Sequence, residues 1–312
     1  MMTRTDLIFT SGGTPMSGWF YPAASAADAL APVVVMAHGL GGTKDSGLEP
    51  FAERFAAAGL NVLLFDYRGF GASEGVPRQR VSLDGQVEDY RAACVAATAQ
   101  PGVDPNRIVL WGVSQSGGHV IKVAADRDDV AAVIAVVPMV NGMAAARHAL
   151  PLHKPSALLR STATGLLSSV RQLAGGAPSM IPLVGQPGEL AALSADGYEE
   201  AYRAVAGPTW RNEVDASIGS ELGRYRADKV ASRIKAPALF QIADFDQAAP
   251  PHAAAKAAFD ARAEVRHYPC DHFDIFEGRD WFEAAVDHQL FFLKNHGLLG
   301  RVIQSNDVPA TS

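Results

Sequence analysis

The sequence predicts an α/β protein with a mostly parallel central sheet of about eight strands flanked by helices. Two observations support this fold class: continuous apolar runs rich in β-branched residues, typical of strands covered on both faces, alternate with segments of helical periodicity. A third observation is one interruption. Between about residues 140 and 232 the alternation stops, and helical pieces follow one another among prolines and glycines. We therefore expect one sheet-based core with a helical insert.

The predicted elements follow in a regular order. Two short β-rich segments, DLIFT and MSGWFY, come first, and the turn cluster SGGTP between them indicates a hairpin or the start of a meander. Four predicted strands then alternate with three predicted helices. The strands are APVVVMAHG, NVLLFDYRG, RIVLWGV and VAAVIAVVP, and the helices are LEPFAERFAAAG, SLDGQVEDYRAACVAATAQ and SGGHVIKVAA. After the insert come the strand APALFQIAD, the helix PHAAAKAAFDA, the strand AEVRHYP and the amphipathic helix DWFEAAVDHQLFFLKNHG.

The predicted organisation is a core, an insert and a tail. Residues 1–139 and 233–300 form the core, residues 140–232 a helical cap, and residues 301–312 a frayed tail. Within the insert we expect helices at PSALLRSTATGLLSSVRQL and GYEEAYRAV, and the sequence shows no clear buried strand there. Open parallel sheets bind ligands beyond the carboxyl ends of their strands, so we expect the cap to cover a ligand site there.

Composition and charge exclude several classes of function. The 312 residues carry a formal net charge of -6, which gives no support to nucleic-acid binding, since that would need a basic face. No apolar run is long enough for a membrane span and no secretory leader opens the chain, so we expect a cytoplasmic protein. The two cysteines cannot form a disulfide framework. Because His119, His148, His153 and His252 are scattered without paired metal-ligand spacing, we expect neither a metal nor a cofactor.

A serine at a strand-to-helix turn is the first candidate catalytic residue. In RIVLWGVSQSGGHV, Ser114 lies where a tight elbow would raise its hydroxyl above the sheet edge, at the start of a helix. Gly112 and Gly117 would let the neighbouring backbone approach closely. The usual pattern G-x-S-x-G has glycine where this chain has Ser116. The alternative is therefore that Ser114 is only a small residue where a strand and a helix pack closely. A nucleophilic serine needs an imidazole to take its proton and a carboxylate to orient that imidazole.

Candidates for both partners follow at the ends of later strands. The segment LFQIADFDQAAPP carries Asp244 and Asp246, either of which could instead cap the next helix. His272 lies in YPCDHFDIF, between the last strand and the last helix. The order serine, aspartate, histidine at the ends of successive strands is the order that this elbow arrangement requires. We interpret Ser114, an aspartate of this loop and His272 as a catalytic triad.

A glycine-rich segment after the first long buried strand supplies a further signal. In VVVMAHGLGGTKD the glycines would let the backbone turn its N–H groups toward the site. We infer that the N–H groups of Leu40 and Gln115 form an oxyanion hole. The alternative is an ordinary glycine-rich turn, whereas a phosphate-binding loop would need the Gly-Lys-Ser/Thr that is missing here. We interpret His38 as a residue that holds this loop.

With these residues the chain resembles the α/β-hydrolase superfamily over nearly its whole length, on AHGLGG, DYRGFGASEG, GVSQSGG, ADFDQAAPP and DHFDIF. It is most similar to the lidded esterase, serine-aminopeptidase-like and dienelactone-hydrolase-like members. The resemblance implies the α/β-hydrolase fold with a helical cap. It also selects Asp246 as the acid, because the acid of such enzymes stands four residues before the proline, and it implies structural roles for Asp66 and Arg68. Ser116 in place of the last motif glycine departs from the family pattern.

The resemblance implies a serine hydrolase. We expect it to cleave a carboxylic ester or lactone of a small to medium apolar substrate through an acyl-Ser114 intermediate. The same triad acting on an amide, a peptide or a carbon-carbon bond is the alternative, and a catalytically silent ligand-binding relative is a further one. Met139 and Trp210 are candidates for an apolar substrate pocket.

The expected partner is a small ester-like molecule, and a homodimer is left open. Carboxylates of the insert could hold the amino terminus of a peptide substrate or could be solvated helix faces. These residues are Glu189, Glu199, Glu200 and Glu213.

Overall fold

The sheet predicted from the sequence is present, with eight strands, in a computed structural model that describes residues 4–24, 30–150, 168 and 176–299. The strands pair in the order β1-β2-β4-β3-β5-β6-β9-β10. Their bounds are β1 Thr5–Ser11, β2 Thr14–Tyr21, β3 Ala31–Ala37, β4 Asn61–Phe65, β5 Val103–Val113, β6 Val130–Val136, β9 Ala238–Ala243 and β10 Glu264–Tyr268.

The antiparallel part of the sheet is confined to one edge. Strands β1 and β2 form the predicted hairpin, and β2 is antiparallel to β4. The hairpin turn is made by Gly12 and Gly13, both at positive φ, where glycine has no steric penalty. From β4 to β10 all pairs are parallel. The central strands β3, β4 and β9 are buried at every position, which explains their continuous apolar sequence.

Helices occur in both the core and the insert. The helix Leu83–Thr98 begins after Ser82, whose hydroxyl accepts a hydrogen bond from the backbone N–H of Gly85. The helix Pro251–Asp260 begins at a proline, which has no N–H that would need an acceptor in the first turn. The described helices are α1 Glu49–Ala57, α2 Leu83–Thr98, α3 Gln115–Ala125, α4 Gly142–Ala149, α5 Tyr198–Val205, α6 Ile218–Arg224, α7 Pro251–Asp260 and α8 Phe282–Asn295. None of them is both long and apolar enough to span a bilayer.

The segment 140–232 contains α4, α5 and α6. The helix expected at GYEEAYRAV is α5, whereas the one expected at PSALLRSTATGLLSSVRQL lies almost wholly outside the described residues. The segment also contains two strands of two residues each, β7 Met180–Ile181 and β8 Val214–Asp215, which pair with each other. Such short strands carry no periodicity that a sequence pattern could reveal. That this segment is a separate cap stays a prediction.

The strand order creates a switch point at β3. The chain goes from β3 to β4 on one side and returns to β5 on the other side, and β3 pairs in parallel with both. Loops that leave β3 and β5 therefore diverge and open a crevice at the carboxyl edge of the sheet. The loop after β3 carries His38 to Leu40, and the turn after β5 carries Ser114. The loops that follow β9 and β10 carry Asp246 and His272 to the same edge.

Candidate active site

Ser114 lies on a strained turn between β5 and α3. Its φ is 58° and its ψ is -119°, a conformation that costs free energy for a residue with a side chain and persists only where the surroundings enforce it. Its N–H donates to Val136 O at 2.8 Å, and its carbonyl accepts from Met139 N at 2.9 Å. A Cβ on Gly112 would stand 2.2 Å from the carbonyl oxygen of Ser116, so only glycine fits there. Ser114 is half-buried among buried neighbours.

Ser116 occupies the position where the motif has glycine. Its side chain is fully buried, and its hydroxyl donates to the carbonyl of Ala37 at 2.7 Å and accepts from Val113 N at 2.8 Å. Both hydrogen-bonding functions are therefore satisfied, which removes the penalty of burying a polar group. The hydroxyl ties the end of β3 to the end of β5, directly below the two loops of the site.

Asp246 and His272 form a buried pair. The carboxylate Oδ2 is 2.6 Å from His272 Nδ1, while Oδ1 accepts from the N–H groups of Ala248 and Ala249 at 2.8 and 2.7 Å. These two N–H groups orient the carboxylate toward the ring. The pair fixes the proton on Nδ1 and leaves Nε2 as the acceptor. Asp244, the other candidate acid, instead contacts His267 at 2.7 Å on the surface.

The environment favours the protonated form of His272. Burial alone lowers the pKa of the imidazole, but the nearby carboxylates of Asp246 and Asp271 outweigh it and raise the pKa above its ordinary value of 6.5. Ser114 and His272 line the same cavity. No hydrogen bond among the described residues joins the Ser114 hydroxyl to the ring.

The loop after β3 passes directly over Ser114. A Cβ on Gly39 would stand 3.0 Å from Ser114 Cβ, so glycine allows the backbone of Gly39 and Leu40 to approach the serine. Gln115 is the first residue of α3, where an N–H has no intrahelical acceptor. Burial lowers the pKa of His38, and its Nδ1 contacts Gly39 O at 2.9 Å, as expected for a neutral ring that holds the loop.

Two cavities meet at Ser114, and Leu40 and Leu193 also line both of them. The first, of about 40 Å³, is lined also by His272 and by apolar side chains that include Phe273 and Phe276. The second, of about 190 Å³, is lined mainly by small and apolar residues, many of them from α4 and α6, and Met139 contributes to its wall. Polar residues also line it, namely Gln115, Ser194, Tyr198 and Gln247. Trp210 lies outside both linings and stacks on Tyr202, which lines the first cavity.

Comparison with known proteins identifies the family. Residues 28–271 match the family model described as serine aminopeptidase, S33, a family of α/β hydrolases. The chain belongs to this family. It is 37% identical over 292 residues to quorum-quenching protein AidA of Acinetobacter baumannii, which covers 93% of this chain and 94% of that protein.

Two fungal proteins extend the comparison. The chain is 35% identical over 161 residues to thiohydrolase aneE of Aspergillus aculeatus, which covers 52% of this chain and 50% of that protein. The crystal structure of the α/β hydrolase GrgF from Penicillium sp. sh18 superposes with a TM-score of 0.77 at 25% identity, over 94% of this chain and 99% of the other. The eight-stranded sheet is therefore the α/β-hydrolase fold predicted from the sequence.

Two tyrosines of this α/β hydrolase reach the site from the insert. Neither of them was predicted from the sequence as a site residue. Tyr198 donates to Asp271 Oδ1 at 2.8 Å and accepts from Gln247 N at 3.1 Å, between the loops of the acid and the histidine. Tyr202 donates to the carbonyl of Leu40 at 2.8 Å. Their spacing of four residues in GYEEAYRAV places both rings on one face of α5, and this spacing is the signal that could have revealed them.

Further contacts fasten the insert to the loop after β3. The N–H of Thr209 donates to Asp45 Oδ2 at 3.0 Å, and Gly207 packs so closely on Asp45 that a Cβ would stand 2.3 Å from its carbonyl oxygen. Elsewhere in the insert, His148 of α4 contacts the carbonyl of Asp246 at 2.8 Å, while His153 lies outside the described residues. In the described part of the chain, no group of three or more His, Cys, Asp and Glu residues is placed to hold a metal ion.

Proposed function

We propose that this α/β hydrolase cleaves a carboxylic ester or lactone of a small to medium apolar substrate through an acyl-Ser114 intermediate. One observation carries the proposal: the buried Asp246–His272 pair, with its 2.6 Å contact, faces the cavity into which the strained Ser114 turn opens. An oriented imidazole next to a raised serine hydroxyl is the arrangement that nucleophilic acyl transfer needs.

The proposed reaction has two halves. Ser114 Oγ attacks the acyl carbon while its proton passes to His272 Nε2, and the negative charge on the carbonyl oxygen is held by the N–H groups of Leu40 and Gln115. The bond from carbon to the leaving oxygen then breaks, and that oxygen takes the proton from His272. Water next attacks the acyl carbon and gives its proton to the same nitrogen, and the release of Ser114 with that proton yields the carboxylic acid. Asp246 stays ionised throughout and stabilises the imidazolium.

The lining of the site favours a neutral substrate over a peptide with a free amino terminus. Among the described residues no Asp or Glu lines either cavity, so an ammonium group would find no counter-charge there. Glu199 instead contacts Arg203 at 2.9 Å and accepts from Gln186, and Glu189 accepts from the N–H of Gln186. This argues for the ester over the aminopeptidase alternative.

A thioester is the second candidate substrate. The observation in its favour is that one of the relatives similar to this chain is named a thiohydrolase. The same acyl-enzyme chemistry applies, with a thiolate as the leaving group, and a thiolate needs less help from the protonated imidazole because thiols are more acidic than alcohols.

The test is intact-mass measurement after incubation with a small fluorophosphonate, followed by mapping of the modified peptide. We expect one adduct on Ser114 that His272→Ala abolishes. Hydrolysis of an ester, a lactone and a thioester with the same acyl chain is then measured and compared with an aminoacyl amide. Absence of an adduct on the folded protein, together with no hydrolysis, would favour a silent ligand-binding relative.

A further inference from the structure

The two cavities that meet at Ser114 differ in their relation to His272. The imidazole lines the smaller cavity and is absent from the described lining of the larger one. Of the two predicted oxyanion donors, Leu40 lines both cavities, whereas Gln115 lines the larger one and is absent from the described lining of the smaller one. The site is therefore asymmetric about the serine, and this asymmetry bears on how an acyl substrate would lie in it.

The chemistry of acyl transfer assigns one side to each part of the substrate. The protonated imidazole must deliver its proton to the leaving oxygen, so the leaving group has to lie next to His272. The acyl carbon bonded to Ser114 carries the remainder of the substrate on its other side, away from the ring. The leaving group therefore belongs to the cavity of about 40 Å³ and the acyl chain to the cavity of about 190 Å³.

The walls of the two cavities agree with this assignment. The smaller cavity is lined by bulky side chains, among them Val205, Phe273 and Phe276. The larger cavity is lined on α4 by alanines and on α6 by Gly219 and Gly223, one helical turn apart. A Cβ on either glycine would meet no heavy atom within 4 Å, so the helix presents an open, smooth surface to the cavity.

We propose that the substrate is an ester or thioester of an extended apolar acyl chain with a compact leaving group, the chain lying against Gly219 and Gly223 and the leaving group against Val205, Phe273 and Phe276. This rests on the function proposed above and narrows it. Affinity for the chain comes from burial of its methylenes against the apolar wall. Selection against large leaving groups comes from the lack of space beside His272.

Gly219→Leu and Val205→Ala test the two sides separately. Gly219→Leu fills the acyl cavity and is favourable for the helix, because leucine has a higher helix propensity than glycine. Val205→Ala widens the leaving-group cavity. Ser220→Leu is the matched control, since it adds similar bulk on the same helix at an exposed position outside both linings. Rates of acid release are measured on ethyl esters from acetate to decanoate and on acetate esters from methyl to benzyl.

The expected results differ in direction for the two series. Gly219→Leu should lower kcat/KM for ethyl decanoate by about tenfold or more, a factor that a single methylene can contribute in an apolar pocket. It should leave kcat/KM for ethyl acetate within about threefold of the unmodified protein. Val205→Ala should raise kcat/KM for benzyl acetate relative to methyl acetate and leave the acyl-chain profile unchanged. Ser220→Leu should leave both profiles as in the unmodified protein.

Three outcomes would overturn the proposal. If Gly219→Leu alters the alcohol series, or Val205→Ala alters the acyl series, the assignment of the two sides is reversed or wrong. If Gly219→Leu leaves every profile unchanged while the fluorophosphonate still labels Ser114, the acyl chain lies elsewhere, although the serine hydrolase itself stands. Loss of labelling and of all ester hydrolysis in the unmodified protein would instead remove the proposed function and this orientation with it.

Discussion

Removal of one hydroxyl, in Tyr202→Phe, tests whether the insert holds the catalytic loop in place. The hydroxyl donates to the carbonyl of Leu40 at 2.8 Å, and the N–H of Leu40 is a predicted oxyanion donor. Phenylalanine keeps the stacking on Trp210, whose ring centroid lies 5.4 Å away, so the change removes the hydrogen bond and little else.

The expected loss of kcat follows from the energy of that one hydrogen bond. A neutral hydrogen bond contributes about 1 kcal/mol net, and complete loss of an oxyanion donor costs about 3 kcal/mol. The restraint on Leu40 cannot exceed the energy of the bond that provides it, so we expect kcat to fall by about fivefold, with KM nearly unchanged. Steady-state kinetics on a short ester and the rate of fluorophosphonate labelling both report this loss.

Tyr90→Phe is the control. The Tyr90 hydroxyl is buried and lies between two strand carbonyls, that of Val35 at 2.5 Å and that of Trp111 at 2.7 Å. Its loss should lower the free energy of unfolding by about 1 kcal/mol and leave kcat unchanged. If Tyr202→Phe lowers the unfolding free energy to the same extent and kcat stays at the unmodified value, Tyr202 is merely structural and the reasoning is refuted.

Three further predictions concern the proposed triad. Ser114→Ala should abolish turnover and leave the midpoint of thermal unfolding unchanged, and residual turnover above about a hundredth would exclude Ser114 as the nucleophile. Asp246→Asn should lower kcat by about 10⁴-fold, whereas Asp244→Asn, which alters only a surface contact with a histidine, should have little effect; the reverse ranking in the same assay would identify Asp244 as the acid. Because only the neutral imidazole accepts the serine proton, kcat/KM should rise with pH through the raised pKa of His272, with a midpoint above 6.5. Asp271→Asn removes one of the carboxylates that raise this pKa and should therefore move the midpoint down. A pH profile that is flat from 5 to 8 would contradict this role of His272.

The fold could be predicted because its signals are local. Continuous burial of the central strands requires apolar β-branched runs, and the helices between them require a period of 3.6 residues, so the order of the core elements follows from the sequence. The elbow at Ser114 also has a local cause, since Gly112 must be glycine to clear the carbonyl of Ser116. The pair β7 and β8 could not be predicted, because two residues in a strand leave no pattern.

By itself, the sequence determined the class of fold, the family resemblance and a short set of candidates that included both aspartates. Only the tertiary structure decided that Asp246 contacts His272 while Asp244 contacts His267, because both aspartates leave the same strand and differ only in what packs against them. The same holds for Tyr202, which is 162 residues from Leu40 in the chain. A hydrogen bond over that separation depends on how the insert docks on the sheet, and no local periodicity encodes the docking.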